Sequence, residues 1–204
     1  MGVDVIIATY GDLPTWEPLA QRAVASAESQ TVKPDFIHRI HGESLAEARN
    51  AGAAQSEAEW LIFLDADDEL NDTYVESMLT GNADLRQPST LGVYEDGSTD
   101  AYSVVIPPKA SIRIGNWFII GTAIRRELFV QAEGFHDEPA WEDWSLMLRC
   151  FALRATWETI HNAVYKVGVN TVGRNSTAAD NRSLHSNILS KNDRWAFERG
   201  LAIV

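Results

Sequence analysis

The sequence contains very little of what disulfide-linked, exported or membrane-spanning proteins need. Its single cysteine, Cys150, rules out an internal disulfide and favours a reducing compartment. No apolar run reaches the length of about 18 residues at which a transmembrane helix is predicted. The N-terminus lacks a positively charged segment and a cleavage site, so no signal peptide is predicted. Together these absences predict a cytoplasmic protein without a membrane span.

Basic residues are also scarce. The chain has 17 Lys and Arg against 29 Asp and Glu, which gives a formal net charge of −12. A surface of this charge repels phosphate backbones, and no local cluster of basic residues offsets it. Nucleic acid is therefore not expected as a partner.

Length and composition indicate one globular domain. The hydrophobic fraction of 45% and the charged fraction of 23% are ordinary for such a protein. A chain of 204 residues can bury a substantial core, and no linker, repeat or low-complexity tract divides it. We therefore expect a single domain over residues 1–204. The oligomeric state is not predicted.

The first half of the chain alternates short apolar runs with helical segments. Strands are expected at residues 3–8, 36–40 and 60–64. Helices are expected at about residues 14–30, 45–55 and 72–80. Ser44 and Glu47 form a capping box at the start of the middle helix. This order predicts an α/β fold with a mainly parallel sheet, whose nucleotide-binding half spans about residues 1–90.

The second half, about residues 91–204, has a different pattern. The predicted elements are a hairpin of residues 91–94 and 102–106, a strand at 119–124, a helix near 126–132 and an amphipathic helix around 184–195. Trp144, Met147, Leu148 and Phe151 are spaced to form one apolar helical face. Residues 107–118 and 170–182 are expected to be loops.

Acidic residues follow the strand predicted at 60–64. Asp65 and Asp67 would emerge at the carboxyl edge of the sheet, where open α/β sheets bind ligands. Carboxylates there can hold Mn²⁺ or Mg²⁺, and the cation can hold a diphosphate. A polar turn into the next helix is the alternative. A calcium loop is excluded because it requires Gly at its sixth position, which is Leu70 here.

A second acidic pair, Glu142 and Asp143, precedes the predicted apolar helix. Carboxylates in a first helical turn are stabilised by the helix dipole, which would explain the pair without any chemistry. However, Trp141 and Trp144 flank the pair. Aromatic faces beside carboxylates suit sugar rings, which combine apolar C–H surfaces with hydroxyls. The pattern therefore favours a sugar site.

The motifs resemble the family-2 glycosyltransferases, which have the GT-A fold. The matching segments, in order, are Val5–Tyr10, Ala48–Gly52, Leu64–Asp68, Gly121–Phe135, and Glu142–Trp144 followed by Leu146 and Arg149. Their order and spacing agree over about residues 3–170. The resemblance implies a GT-A fold with a nucleotide-sugar half and a smaller acceptor half.

The resemblance also implies roles on the donor side. Contacts to the nucleobase and ribose would come from Ala8, Thr9 and Tyr10. Arg49 would lie near the nucleotide, and Asp65 would support both the ribose and the metal. Asp67 would coordinate the cation, Mn²⁺ or Mg²⁺, that bridges the diphosphate.

On the acceptor side, the resemblance makes Asp143 the general base that deprotonates the acceptor hydroxyl. Glu142 would orient either the acceptor or Asp143. Sugar contacts are expected from the residues near this pair: Trp117, Gly121, Thr122, Trp141 and Trp144. The predicted loops 107–118 and 170–182 would shape the acceptor site.

Two segments depart from the family pattern. The usual acidic element after the second strand is replaced by a segment in which His41 or Glu43 would have to contact the base. The usual Tyr-Arg-x-His element reads Tyr165–Gly168 and has no histidine for the metal. The candidate replacements are His161, Asn170 and His185, or water and phosphate.

The predicted function is an inverting, metal-dependent glycosyltransferase. Its donor would be a nucleotide sugar, most simply a UDP sugar, and its acceptor a saccharide, a protein or a small molecule. A non-catalytic nucleotide or sugar binder of the same fold is one alternative. A nucleotidyltransferase is another, but it would need a basic phosphate loop after the first strand, and Thr9–Leu13 has no basic residue.

Overall fold

The computed structural model describes residues 2–100, 103, 112–169 and 181–203. The elements of the first half lie close to their predicted positions. They are β1 (Val3–Tyr10), α1 (Leu13–Glu28), β2 (Phe36–Gly42), α2 (Leu45–Gln55), β3 (Trp60–Asp65), β4 (Glu69–Leu70) and α3 (Tyr74–Leu79). The Ser44 side chain accepts from the Glu47 backbone N–H, as the capping box predicts.

The second half differs more from the prediction. Its elements are β5 (Leu85–Tyr94), β6 (Ala123–Arg125), α4 (Arg126–Gln131), α5 (Glu142–Ala152), β7 (Trp157–Val169) and α6 (Asn181–Glu198). The strand predicted at 119–124 is shorter because Thr122 donates from its backbone N–H and its hydroxyl to the Ile119 carbonyl, forming a turn. The long strand β7 was not predicted.

Parts of the predicted loops and hairpin lie outside the described residues. Ser103 forms an antiparallel bridge with Thr90, which fits a hairpin, but the rest of the predicted second strand, 102 and 104–106, lies outside. Residues 112–118 contain neither helix nor strand, as expected, whereas 107–111 lie outside. Residues 170–180 also lie outside, and residues 181–182 belong to α6 and not to a loop.

The seven strands form one sheet in the order β2-β1-β3-β6-β5-β7-β4. Strand β1 is parallel to β2 and β3, and β5 is parallel to β7. The pairs β3–β6, β5–β6 and β4–β7 are antiparallel, so the sheet is mixed and not mainly parallel throughout. The three parallel strands β1, β2 and β3 therefore end at the same edge, where the predicted donor residues lie.

Alternate residues of the central strands point into two hydrophobic layers. Ile6 and Phe63 face the layer formed with α4, α5 and α6, whereas Val5 and Leu64 face the layer formed with α1 and α3. The predicted apolar face of α5 packs into the first layer. Cys150 is fully buried there, and burial raises the pKa of its thiol to about 12, as befits a core residue. Within the described ranges, no helix is long and apolar enough to cross a membrane.

Candidate functional site

The ends of β1, β2 and β3 bring the predicted nucleotide-binding residues to one edge. In the strand register, Ala8 lies opposite Asp65, and Thr9 lies opposite His41. The Thr9 hydroxyl is 3.1 Å from Nδ1 of His41, and Thr9 itself is buried. His41 and Glu43 are exposed at this edge, and Tyr10 is half-buried. These residues therefore lie together at one edge of the sheet, as the sequence predicted, and their contact with a nucleotide stays a prediction.

Arg49 links the two acidic motifs. Its guanidinium donates to Oδ1 of Asp65 at 2.5 Å and to Oε1 of Glu142 at 2.6 Å. It is 2% exposed and lies 5.0 Å from the centre of the Phe135 ring. Burial alone would lower the pKa of Arg49, but the charges of Asp65 and Glu142 raise it above its ordinary value. The residue predicted to lie near the nucleotide is thus a buried bridge between the halves of the domain.

The matched segment Ala48–Gly52 explains how Arg49 reaches this position. A Cβ atom on Gly52 would lie 2.5 Å from Cγ2 of Ile6, so only glycine lets α2 approach β1 this closely. Asn50 donates to the Phe135 carbonyl and accepts from the Phe135 N–H at 2.8 and 2.9 Å. The segment therefore fixes α2 against both β1 and the chain before α5.

Strand β3 ends at Asp65, and two further carboxylates, Asp67 and Asp68, follow it. Asp68, to which no role was assigned from the sequence, is buried and accepts from the Gly168 N–H at 2.8 Å and from the Tyr165 hydroxyl. The same hydroxyl accepts from the Asp65 N–H at 3.0 Å. Burial, together with the charges of Asp65 and Asp67, raises the pKa of Asp68 well above its usual range. Asp68 is therefore the structural member of the cluster.

The expected metal shell is not assembled by the side chains that the structure describes. Among residues 2–100, 103, 112–169 and 181–203, no three His, Cys, Asp or Glu side chains are grouped to hold a metal ion. A Cβ atom on Gly168 would collide with the Asp67 carbonyl oxygen, so this position cannot accommodate the family histidine without a shift. What remains for a cation is the pair Asp65 and Asp67 at the end of β3.

The proposed replacements for that histidine are not brought to the cluster. His161 is exposed and lies seven residues before Gly168 on β7, which corresponds to roughly 20 Å of strand. His185 stacks on Trp144 with 4.6 Å between ring centres. Asn170 lies outside the described residues.

A pocket of about 440 Å³ opens beside Asp67. Its lining also includes the acidic Glu69 and Glu95, the cationic Arg22 and Lys166, and the ring of Tyr94. Apolar side chains of β5 also contribute to the wall, notably Leu91 and Val93. Its mixture of charges and apolar surface is typical of a site for a polar small molecule.

Asp143 is the second residue of α5. The residue that precedes this helix, Trp141, has a left-handed backbone conformation with φ of 60°. Oδ1 of Asp143 accepts from the Trp144 N–H at 2.8 Å, and its Oδ2 accepts from the Asn116 side chain at 2.8 Å. Burial and the charge of Glu142 raise the pKa of Asp143 to about 6, against the effects of Asn116 and Arg49. A carboxylate with this pKa is well suited to accept a proton near neutral pH.

Two residues of this region were given no role from the sequence: Asn116, which donates to Asp143, and Arg149, which lies on the same helix as Asp143. Asn116 lies in a segment without periodicity, so no local signal marked it. Arg149 was recognised only as part of a motif, and it is fully buried. It donates to the carbonyls of Ala132 and Gly134, and burial lowers the pKa of Arg149 to about 10. It therefore holds the turn that leads into α5.

The predicted sugar contacts need correction. Trp144 is fully buried and donates its indole N–H to the Ile112 carbonyl at 2.6 Å, so it presents no face to a sugar. Gly121 and Thr122 are also buried, and a Cβ atom on Gly121 would collide with the Tyr165 ring. Trp117 is half-buried in an aromatic cluster with Phe118, Phe151 and Trp157. Trp141 is half-buried and lies two residues before Asp143 in the chain, so its contact with a sugar stays a prediction.

Glu142 also has a narrower role than predicted. It is 4% exposed, and its carboxylate is bonded to Arg49. An acceptor cannot reach a carboxylate buried in this way. Of the two predicted roles, orienting Asp143 is the one that the geometry permits.

Comparison with known proteins finds a family model that matches part of the chain. Residues 15–86 match the family model described as glycosyl transferase family 2. This match contains His41, Glu43, Arg49 and the acidic residues at the end of β3, but it begins after Ala8, Thr9 and Tyr10 on β1. None of the curated proteins compared with the chain matches it.

Solved structures with a similar fold include S. aureus TarS. The structure of TarS 1–349 in complex with UDP-GlcNAc has a TM-score of 0.70 and 15% identity, and it covers 94% of this chain and 65% of that chain. TarS 1–349 in complex with UDP has a TM-score of 0.62 and 15% identity over 97% of this chain and 72% of that chain. The present chain thus spans about two thirds of the TarS 1–349 chain.

The raised pKa of Asp143 predicts a pH-dependent effect of Asp143→Asn on stability. Between about pH 4 and pH 6 the folded state binds a proton that the unfolded state releases, so rising pH destabilises the wild type. Asparagine does not titrate in this range, so the Asp143→Asn variant does not lose stability in this way as the pH rises. Relative to wild type, its free energy of unfolding should rise by roughly 1–3 kcal/mol between pH 4 and pH 7.5, as measured by urea denaturation.

The exposed Asp137, changed to Asn, is the matched control and should show no such trend. A stability difference between Asp143→Asn and wild type that stays constant over this pH range would contradict the assignment of a raised pKa.

Proposed function

We propose that this chain belongs to glycosyl transferase family 2, with the GT-A fold, and transfers a sugar from a nucleotide-sugar donor to an acceptor hydroxyl. The family-model match over residues 15–86 and the similarity of the fold to TarS support this proposal. The proposal extends to inversion at the anomeric carbon, to a UDP sugar as the donor and to assistance by a divalent metal. The single buried cysteine fits a reaction in the cytoplasm.

The observation that carries the proposal is the chain of contacts from Asp65 to Asp143. Asp65 lies at the sheet edge where a donor would bind, and Arg49 joins it to Glu142, the residue next to Asp143. This arrangement supports a donor on one side and a proton acceptor on the other. Glycosyl transfer needs both within one site.

The chemistry assigned to these residues is a single displacement. The acceptor oxygen forms a bond to the anomeric carbon while the bond to the donor phosphate breaks, and the acceptor proton passes to Asp143. Because the acceptor attacks from the face opposite the leaving group, the configuration inverts. Glu142 and Asn116 would hold Asp143 in place for this step.

A cation would be held by Asp67 with Asp65, whose hard carboxylate oxygens suit Mn²⁺ or Mg²⁺. When bound, it would offset the negative charge that develops on the departing diphosphate. The pocket beside Asp67 is lined by the cationic Lys166 and Arg22, but also by the acidic Glu69 and Glu95, so its side chains supply no net positive charge.

The structures of TarS with UDP-GlcNAc and with UDP support a uridine donor. In this chain the base would lie at the ends of β1 and β2, within reach of Thr9, His41 and Glu43. The acceptor, a saccharide, a protein or a small molecule, would enter beside Trp141. A non-catalytic binder of the same fold is the second candidate. It is favoured by the absence of the family histidine at Gly168, where a Cβ atom would collide with the Asp67 carbonyl oxygen.

Metal dependence is tested through donor binding. We predict that UDP binds in the presence of Mn²⁺ and that chelation or Asp67→Asn weakens binding by roughly tenfold or more, because the positive charge that would offset the diphosphate is lost. Isothermal titration calorimetry measures both, with Asp137→Asn as the control variant. Equal affinity for UDP in Mn²⁺ and in chelator would refute the metal assignment.

Catalysis is tested with Asp143→Asn. We predict nearly unchanged UDP affinity and a rate of transfer that falls by roughly 10²–10⁴-fold, the usual contribution of a general base. In the wild type, the rate should decline as pH falls through about 6, because Asp143 becomes protonated. An unchanged rate in the variant would refute the role of Asp143, and a wild type without transfer or donor hydrolysis would favour the binder.

A further inference from the structure

The side chain of Asn116 contacts the proposed general base. The family resemblance gives Asn116 no role. Its Nδ2 donates to Oδ2 of Asp143 at 2.8 Å. Its Oδ1 accepts from the Phe118 N–H at 3.2 Å, which fixes the orientation of the amide. Asn116 is exposed although its partner is half-buried, so it lies at the mouth of the site.

The segment that carries Asn116 is anchored to three parts of the fold. The Ile112 carbonyl accepts from the indole of Trp144 on α5. Arg113 makes two bonds, of 2.6 and 2.9 Å, to the Asp193 carboxylate on α6. The Trp117 carbonyl accepts from Gln87 on β5 at 3.0 Å. Asn116 is therefore presented to Asp143 by a fixed backbone and not by a loosely held loop.

We propose that Asn116 is a positioning residue that fixes the carboxylate of Asp143 and keeps it ionised for proton transfer. The proposal rests on the proposed function of Asp143 as the general base. With the Trp144 N–H on Oδ1 and Asn116 on Oδ2, the plane of the carboxylate is set from both sides. Each oxygen keeps a second lone pair that can accept from an acceptor hydroxyl, and the Asp143 side chain is half-buried and not fully enclosed.

The charges around Asp143 explain why such a donor is needed. Glu142, its neighbour on α5, disfavours a second negative charge, and Arg49 on α2 is already shared by two carboxylates. His185 on α6 lies behind Trp144, where it stacks on the indole. Asn116, together with the Trp144 N–H, is a neutral donor that stabilises the ionised form of Asp143 without adding charge.

The test compares Asn116→Ala and Asn116→Asp with wild type. Loss of the donor should raise the pKa of Asp143 by roughly half a unit to one unit, and a carboxylate at position 116 should raise it further. Carbon-13 NMR titration of the Asp143 carboxyl group measures this directly, whether or not transfer is detected. The exposed Asn187 on α6, changed to Ala, is the control and should leave the titration unchanged.

In transfer assays, the acid limb of the pH–rate profile should shift to higher pH in the same order. It should lie at the lowest pH in wild type, higher in Asn116→Ala and highest in Asn116→Asp. The maximal rate of Asn116→Ala should fall about tenfold, with an unchanged KM for the donor. An Asp143 titration that is identical in all three proteins would overturn the proposal. If the Asp143 titration changes in the Asn116 variants but the wild type transfers no sugar, the contact between Asn116 and Asp143 is supported and the proposed function is refuted.

Discussion

The buried guanidinium of Arg49 is the interaction on which the rest of the site depends. A charge that is 2% exposed is very costly unless it is paired, and Arg49 is paired twice. One partner, Asp65, ends a strand of the nucleotide half, and the other, Glu142, begins α5 in the acceptor half. The positions of both acidic motifs are therefore set by one side chain, and α2 must stay close to β1 for that side chain to reach them.

This bridge divides the acidic residues into two kinds. Asp65 and Glu142 are held by Arg49, and Asp68 is buried against β7. Asp143 stands next to this network without an ion pair of its own among the described residues, so burial and the neighbouring carboxylate raise its pKa. A group whose pKa departs from its ordinary value in this way marks a candidate site, and here the group is half-buried and not fully enclosed. Burial and neighbouring carboxylates thus raise the pKa of both Asp68 and Asp143, but Asp68 is buried whereas Asp143 is half-buried.

The sequence predicted what depends on local signals. The strand before Asp65 is a continuous apolar run, and Ser44 with Glu47 marks the start of α2, so both elements were found. Strand β7 was missed because its partner β5 lies about 70 residues earlier and its burial pattern is irregular. The burial of Trp144 and the contact of Asn116 with Asp143 depend on how residues 112–118 cross α5, which no local pattern encodes. The absent histidine was noticed in the sequence, but the reason, the Asp67 carbonyl at that position, required the fold.

A double-mutant cycle on the two partners of Arg49 tests the central claim most directly. The free energies of unfolding of Asp65→Asn, Glu142→Gln and the double variant are measured in the wild-type and Arg49→Met backgrounds. If one guanidinium holds both carboxylates, the two changes should deviate from additivity by about 1 kcal/mol or more with Arg49 present and be additive without it. Additivity within about 0.5 kcal/mol in both backgrounds would contradict the account, because the two halves would then be stabilised independently.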